Sequence, residues 1–107
     1  MIKRLAAILM ALGVSALALA GWTAGGLVND VYSHDGIHLI DTTIPDAPCG
    51  VPGRFWWPTS DPDAKYMFAL ATTALVAQKP IAVVHDPASP NCVVGGQLAT
   101  HMLIAAR

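Results

Sequence analysis

The sequence predicts a mainly β domain with one α-helix, closed by one disulfide. Three observations support this expectation. Short runs of β-branched and aromatic residues alternate with turn sequences. One stretch rich in alanine and leucine has helical spacing and contains neither Gly nor Pro. The chain has 107 residues and two cysteines, Cys49 and Cys92, enough for one domain and one disulfide.

The first twenty residues have the pattern of a secretory signal peptide. Lys3 and Arg4 form a positive start, and no charge occurs from Leu5 to Leu19. Small residues then precede a signal peptidase site, so we expect cleavage after Ala20. An uncleaved anchor is the alternative, but a spanning helix needs about 20 apolar residues and this run is shorter. We predict a signal peptide at 1–20 and one domain at 21–107 of a periplasmic or secreted protein, with no membrane contact after cleavage.

The predicted mature chain is mildly acidic. Its seven acidic residues are all aspartates, and they outnumber four basic residues, which are Arg54, Lys65, Lys79 and Arg107. No basic stripe occurs, so nucleic acid is not an expected partner.

The two cysteines are expected to bond to each other in an oxidising compartment. The loop between Cys49 and Cys92 is long, and its closure would stabilise the fold by about 4 kcal/mol through chain entropy. This matters because a domain of this size buries only about 60–65% of its unfolded surface. A redox or metal pair is the alternative, but C-x-x-C spacing is missing.

The strands are predicted in the following order. Leu27 to Asp41 reads as a β-hairpin, because Asp35-Gly36 is a strong turn signal between two strand-like runs. A segment rich in Pro and Gly follows, and it contains Cys49. Arg54 to Trp57 then forms a short aromatic strand that Pro58 ends.

A helix and two further strands follow. Thr59, Ser60 and Asp61 are suitable N-caps, with Pro62 at the first helical position and a helix that continues to Gln78. Lys79 suits the negative end of the helix dipole, and Pro80 stops the helix. Ile81 to Asp86 is the fourth predicted strand, and the alternating run Gln97 to Ile104 is the fifth.

The run CGVPGRFWWPTSDPDAKYMFALATTALVAQKPIAVVHD, followed by a Cys and a final strand, resembles small exported bacterial proteins. It is similar to the OB-fold B subunits of AB5 toxins of the subtilase-cytotoxin and pertussis-like type, and to their periplasmic relatives. The resemblance implies a five-stranded Greek-key barrel with one helix between strands three and four. It also implies pentamers in which the helices line a central pore, and a barrel surface that binds glycans.

Four residues are candidate ligand contacts: Trp56, Trp57, Tyr32 and Asp35. Neighbours in a strand point to opposite faces, so one of Trp56 and Trp57 is expected in the core and the other at the surface. An exposed Trp can stack on a sugar ring, whereas the alternative is that both tryptophans fill the core and its neighbouring loop. Asp35 lies at the hairpin tip, where its role is either ligand contact or turn geometry.

The sequence indicates neither a metal site nor catalysis. The four histidines, His34, His38, His85 and His101, lack the short paired spacings of zinc ligands, although His85 and His101 are expected on strands that can be neighbours. The serines occur in turn or cap sequences, and neither a nucleophile elbow nor a phosphate loop is present. We expect no cofactor and no enzyme activity. The predicted function is an exported binding module for glycan or protein; the alternatives are an exported structural or interaction protein and a small inhibitor of an exported hydrolase.

Overall fold

The structure is a computed structural model that describes residues 21–105. The predicted signal peptide lies outside the described residues and stays a prediction. The described elements are, in chain order, β1 (Val28–His34), β2 (Ile37–Thr42), β3 (Arg54–Pro58), α1 (Ala64–Ala77), β4 (Ile81–Val84), β5 (Gln97–Leu98) and β6 (His101–Ile104).

The predicted hairpin is confirmed. Strands β1 and β2 pair antiparallel, from His34 opposite Ile37 to Val28 opposite Thr42, with one bulge near Asp30. Asp35 and Gly36 form the two-residue turn with φ values of 50° and 80°. Positive φ at both positions is the geometry of a type I′ turn, which matches the right-handed twist of the strands.

The six strands form two separate sheets. One has four strands in the order β1-β2-β3-β5, and the other is the antiparallel pair β4-β6. Residues 22–26 run along β4, with Trp22 bridging to Val84 and Gly26 bridging to Ile81. The described sheets do not close on each other, so the mainly β class with one helix is confirmed and the Greek-key barrel is not.

The count of five strands was wrong, because the last predicted strand is divided. Residues Gln97–Leu98 pair parallel with β3, whereas His101–Ile104 pair antiparallel with β4. Between them the chain crosses from the first sheet to the second, with the backbone N–H of Ala99 bonded to the Trp56 carbonyl and that of Thr100 bonded to the Val84 carbonyl. The alternation of side chains from Leu98 to Ile104 continues through this crossing, so the sequence pattern did not indicate that the strand is divided.

Helix α1 covers the inner face of the β-structure and packs mainly against β1 and β6. Its fully buried residues are Ala64, Met67, Ala71 and Ala74, which follow helical spacing. The helix begins later than the predicted caps. Asp63 is the N-cap residue without a side-chain cap bond, while the Asp61 carboxylate accepts the Asp63 N–H at 2.8 Å in the preceding turn. At the other end Gln78 adopts a left-handed conformation, and the Lys79 N–H bonds to the Ala74 carbonyl.

The core lies between α1 and the two sheets. Its largest fully buried side chains are Trp57, Phe55, Ile40 and Ile44. Outside this core, the predicted disulfide joins Cys49 to Cys92 with a Cα–Cα distance of 5.4 Å. A disulfide of this kind is typical of oxidising, non-cytoplasmic environments. Within residues 21–105, no helix combines the length and the apolarity that a bilayer span requires.

Candidate functional site

An open groove of about 280 Å³ lies between α1, β6 and the N-terminal segment. We call it the α1–β6 groove. Trp22 and Tyr66 provide aromatic walls, and the apolar lining is completed by Met67, Leu70 and Met102. The volume is near the lower end of the usual range for ligand sites, about 300–1,000 Å³. The groove therefore has the size of a site for a small ligand or for one residue of a larger one.

Polar groups stand at the edge of this groove. Asp63, Thr100 and His101 all line it. The Thr100 hydroxyl lies 2.9 Å from His101 Nδ1, which fixes the imidazole and leaves Nε2 for another partner. Asp63 makes no side-chain cap bond, so its carboxylate is available to a ligand. An apolar floor with a few convergent polar groups is the usual composition of a binding site.

The N-terminal segment positions Trp22. The Thr23 N–H donates to the Val83 carbonyl at 2.8 Å, and the Val83 N–H donates to the Thr23 hydroxyl at 3.1 Å. These bonds hold residues 22–26 as an additional short strand beside β4. The Trp22 indole then meets the His101 imidazole edge-on, with ring centroids 6.2 Å apart.

A second cavity, of about 160 Å³, lies on the other side of Trp22. Its lining comprises Gly21, Trp22, Thr23, Asp46, His85 and Pro87. His85 directly follows β4, and its buried side chain places Nε2 2.8 Å from the Asp46 carboxylate. The Asp46 carbonyl accepts bonds from the Gly53 N–H and the Gln97 side-chain amide, so the loop that carries Asp46 is fixed. The fourth strand is accordingly two residues shorter than predicted.

Comparisons of the chain with protein-family models, with curated proteins and with solved structures found no match.

The four predicted ligand contacts do not form one site. Trp56 and Trp57 point to opposite faces, as expected: Trp57 is fully buried and its indole donates to the Ala64 carbonyl, whereas Trp56 is half-buried. Tyr32 shares the outer face of the four-stranded sheet with Trp56, but Leu39 stands between them in the strand register. Asp35 is exposed at the hairpin tip beside His34. Trp57 therefore stabilises the core and presents no surface to a ligand.

Trp56 also has a structural partner. Its indole N–H donates to the Asn91 carbonyl at 2.7 Å, next to the disulfide at Cys92. This contact agrees with the alternative given in the sequence analysis, in which a tryptophan packs on a neighbouring loop. Sugar stacking by Trp56 stays a prediction.

An ion pair fixes the same outer face. Arg54 binds both carboxylate oxygens of Asp41, at 2.7 and 3.1 Å, and also donates to the Val94 carbonyl. The hydrogen bond to Asp41 raises the pKa of Arg54, and the negative charge of Asp41 adds to this effect while desolvation opposes it. A bidentate pair of this geometry is more specific than a single contact, and here it connects β2, β3 and the loop before β5.

The histidines are separated in space. His38 stacks on Phe68 with ring centroids 4.4 Å apart, and burial lowers its pKa below the ordinary value of 6.5. His101 lies on β6 beside β4, but His85 lies one residue beyond the end of β4 and, contrary to the prediction, is not on a strand. His85 turns to Asp46 and His101 turns to Trp22. Among residues 21–105, no group of three or more His, Cys or Asp side chains is placed to hold a metal ion.

Both sites contain residues that the sequence did not indicate. The groove combines Trp22, Tyr66 and His101, which are 35 or more positions apart, and the cavity pairs Asp46 with His85 across 39 positions. Tyr66 is detectable in principle, since it is a large aromatic residue on the exposed face of a predicted helix. No local pattern marks Asp46.

Proposed function

We propose that the chain is an exported, non-enzymatic binding module and that the α1–β6 groove binds a sugar ring. The observation that carries this proposal is the pairing of two accessible aromatic rings, Trp22 and Tyr66, with the free carboxylate of Asp63. Tyr66 is 60% exposed. A tyrosine with that exposure contributes little to the hydrophobic core of the domain. A contact with a ligand would explain why a large aromatic side chain stands at this exposed position.

The chemistry of the lining fits a saccharide better than a purely apolar ligand. The C–H face of a sugar ring packs on an aromatic face, while its hydroxyl groups need hydrogen-bond partners. In the groove those partners are the Asp63 carboxylate, the Thr100 hydroxyl and His101 Nε2. The chain is mildly acidic and the groove contains one carboxylate without a basic residue, so a neutral sugar is favoured over an anionic one.

The proposal also includes export of the chain and a relationship to toxin B subunits. The disulfide supports an oxidising compartment, either periplasmic or extracellular. The resemblance to toxin B subunits supports a glycan ligand at the level of fold only. If the resemblance holds, the two sheets correspond to a Greek-key barrel that is not closed. In that comparison β5 and β6 together take the place of the fifth strand.

A glycan array with the purified chain that begins at Gly21 tests the ligand. We expect saturable binding to a neutral glycan, reduced at least tenfold in Tyr66→Ala. The matched control is Tyr32→Ala, which removes the other exposed tyrosine from the outer face of the four-stranded sheet. Binding that depends on Tyr32 and not on Tyr66 would move the site to that outer face. The absence of binding to every glycan would contradict the sugar proposal.

A second candidate function is self-assembly, and one observation favours it. The exposed side of α1 carries Tyr66, Ala69, Thr73, Val76 and Ala77, and Lys65 in the first turn is the one charged residue on this side. Val76 is 79% exposed, although an exposed helix face is usually polar. We propose that a second copy of the chain covers this stripe, as in the pentamers that the resemblance implies.

Light scattering tests this assembly. We expect a mass above that of one chain, and a monomer for Val76→Glu because a charge in the interface would be left without a partner. The control is Val94→Glu, which places the same charge at another exposed valine, in the loop before β5. A wild-type monomer at high concentration would contradict self-assembly and would leave the groove proposal unaffected.

A further inference from the structure

The Asp46–His85 cavity contains a polar atom without a partner. The His85 side chain is only 4% exposed, and its Nδ1 forms no hydrogen bond. A buried polar group in this state destabilises a fold unless something satisfies it. The same side chain lines the 160 Å³ cavity, so a group bound there contacts His85.

The lining determines the chemistry of the bound group. When His85 is neutral and its Nε2–H donates to Asp46, Nδ1 has a free lone pair and accepts a hydrogen bond. Asp46 provides a carboxylate that is one-third exposed, and Trp22 is also among the lining residues. Neither Lys nor Arg is among the six lining residues. A negative charge, an acceptor nitrogen and an indole ring together match a small cation that carries N–H donors.

We propose that this cavity binds a primary ammonium group. The ammonium donates to His85 Nδ1 and to the Asp46 carboxylate, and it contacts the ring of Trp22. Two sources have this chemistry. One is a free small amine. The other is the α-ammonium of Gly21, which lines the same cavity and becomes the chain terminus if the predicted cleavage after Ala20 occurs.

Methylammonium chloride is the probe, with sodium chloride at equal ionic strength as the control. It is titrated into the chain that begins at Gly21 and into a chain with two alanines before Gly21, which moves the terminal amine away. The measurement is the ¹⁵N chemical shift of the two His85 nitrogens at pH 7.5. In the extended chain we expect a saturable shift at Nδ1, and at least tenfold weaker binding in Asp46→Asn. Asp86→Asn is the matched control, since Asp86 is adjacent to His85 but outside the lining.

The chain that begins at Gly21 separates the two sources. Equal methylammonium affinity in the two chains supports a free amine as the ligand. Binding at least tenfold weaker than in the extended chain supports occupation by Gly21. In that case Asp46→Asn should also lower the titration midpoint of the Gly21 amine.

Two results would overturn the proposal. The first is a ¹⁵N shift of His85 that rises linearly with methylammonium and does not saturate in either chain, combined with a titration midpoint of the Gly21 amine that Asp46→Asn leaves unchanged. The second is a His85 ring protonated on both nitrogens at pH 7.5, because Nδ1 then has no lone pair. If Asp46→Asn does not fold, tetramethylammonium replaces the variant: it has no N–H donor, so binding as tight as that of methylammonium would also overturn the proposal.

Discussion

The indole of Trp22 packs edge-on against the imidazole of His101, with 6.2 Å between the ring centroids. Trp22 belongs to the segment that runs beside β4, and His101 begins β6, so the contact spans the full width of the smaller sheet. Trp22 lines both the α1–β6 groove and the Asp46–His85 cavity. Both proposed sites therefore depend on one side chain next to the predicted cleavage point.

Replacing that side chain should affect both sites together. We expect Trp22→Ala to weaken glycan binding and methylammonium binding at least tenfold each, since it removes a wall from both. Tyr66→Ala should weaken only glycan binding, and Asp46→Asn only methylammonium binding. Parallel titrations of the three variants check this pattern. Unchanged affinities in Trp22→Ala would show that the indole contributes to neither site.

The disulfide should provide a large part of the stability. Cys49 and Cys92 close a loop with a sequence separation of 43, for which chain entropy gives about 4 kcal/mol. We expect the Cys49→Ala/Cys92→Ala variant to lose about 2–4 kcal/mol of unfolding free energy in urea. Reductant should destabilise the wild type by a similar amount and should leave the double variant unchanged. Equal stability of the oxidised wild type and the variant would contradict the clamping role.

Acid should destabilise the fold through His38. Burial against Phe68 and Trp57 lowers the folded-state pKa of His38, so below pH 6.5 the unfolded chain binds a proton more readily than the folded chain. Stability is therefore complete above about pH 6.5, the ordinary histidine pKa, and decreases as the pH falls through the folded-state pKa. We expect His38→Phe to reduce the loss of unfolding free energy between pH 7.5 and pH 5. A loss in His38→Phe equal to that of the wild type would contradict the prediction.

Gly53 should be intolerant of any side chain. Its φ is +71°, and a Cβ would lie 2.3 Å from the Thr42 carbonyl oxygen and 2.6 Å from that of Ile44. Gly50 also has a positive φ, of +110°, but nothing lies within 4 Å of its Cβ position. We expect Gly50→Ala to cost about 1–3 kcal/mol from backbone strain alone, and Gly53→Ala to cost clearly more. Urea unfolding of the two variants measures the difference, and equal losses would contradict the close approach at Gly53.

Local signals predicted most of the fold. Asp35-Gly36 indicated the hairpin turn because that dipeptide adopts positive φ at both positions. The alternation of Trp56 and Trp57 predicted one core and one half-exposed residue. The paired cysteines predicted the disulfide, since the chain has no other thiol.

The remaining features depend on tertiary contacts. The division of the last strand follows from its two different partners, β3 and β4, and pairing partners leave no mark in the alternation of Leu98 to Ile104. The beginning of α1 moved from the predicted caps because Asp61 forms its own turn with Asp63. Asp46 meets His85 only because the Gly53 N–H and the Gln97 amide hold its loop in place, and neither contact is local in sequence.

Intact-mass analysis of the chain isolated from its native host under non-reducing conditions tests export and disulfide closure in one measurement. We expect the mass of residues 21–107 less two hydrogens, with no thiol available for alkylation. A mass that retains residues 1–20 would contradict cleavage next to Trp22, and two alkylated thiols would contradict the oxidising compartment.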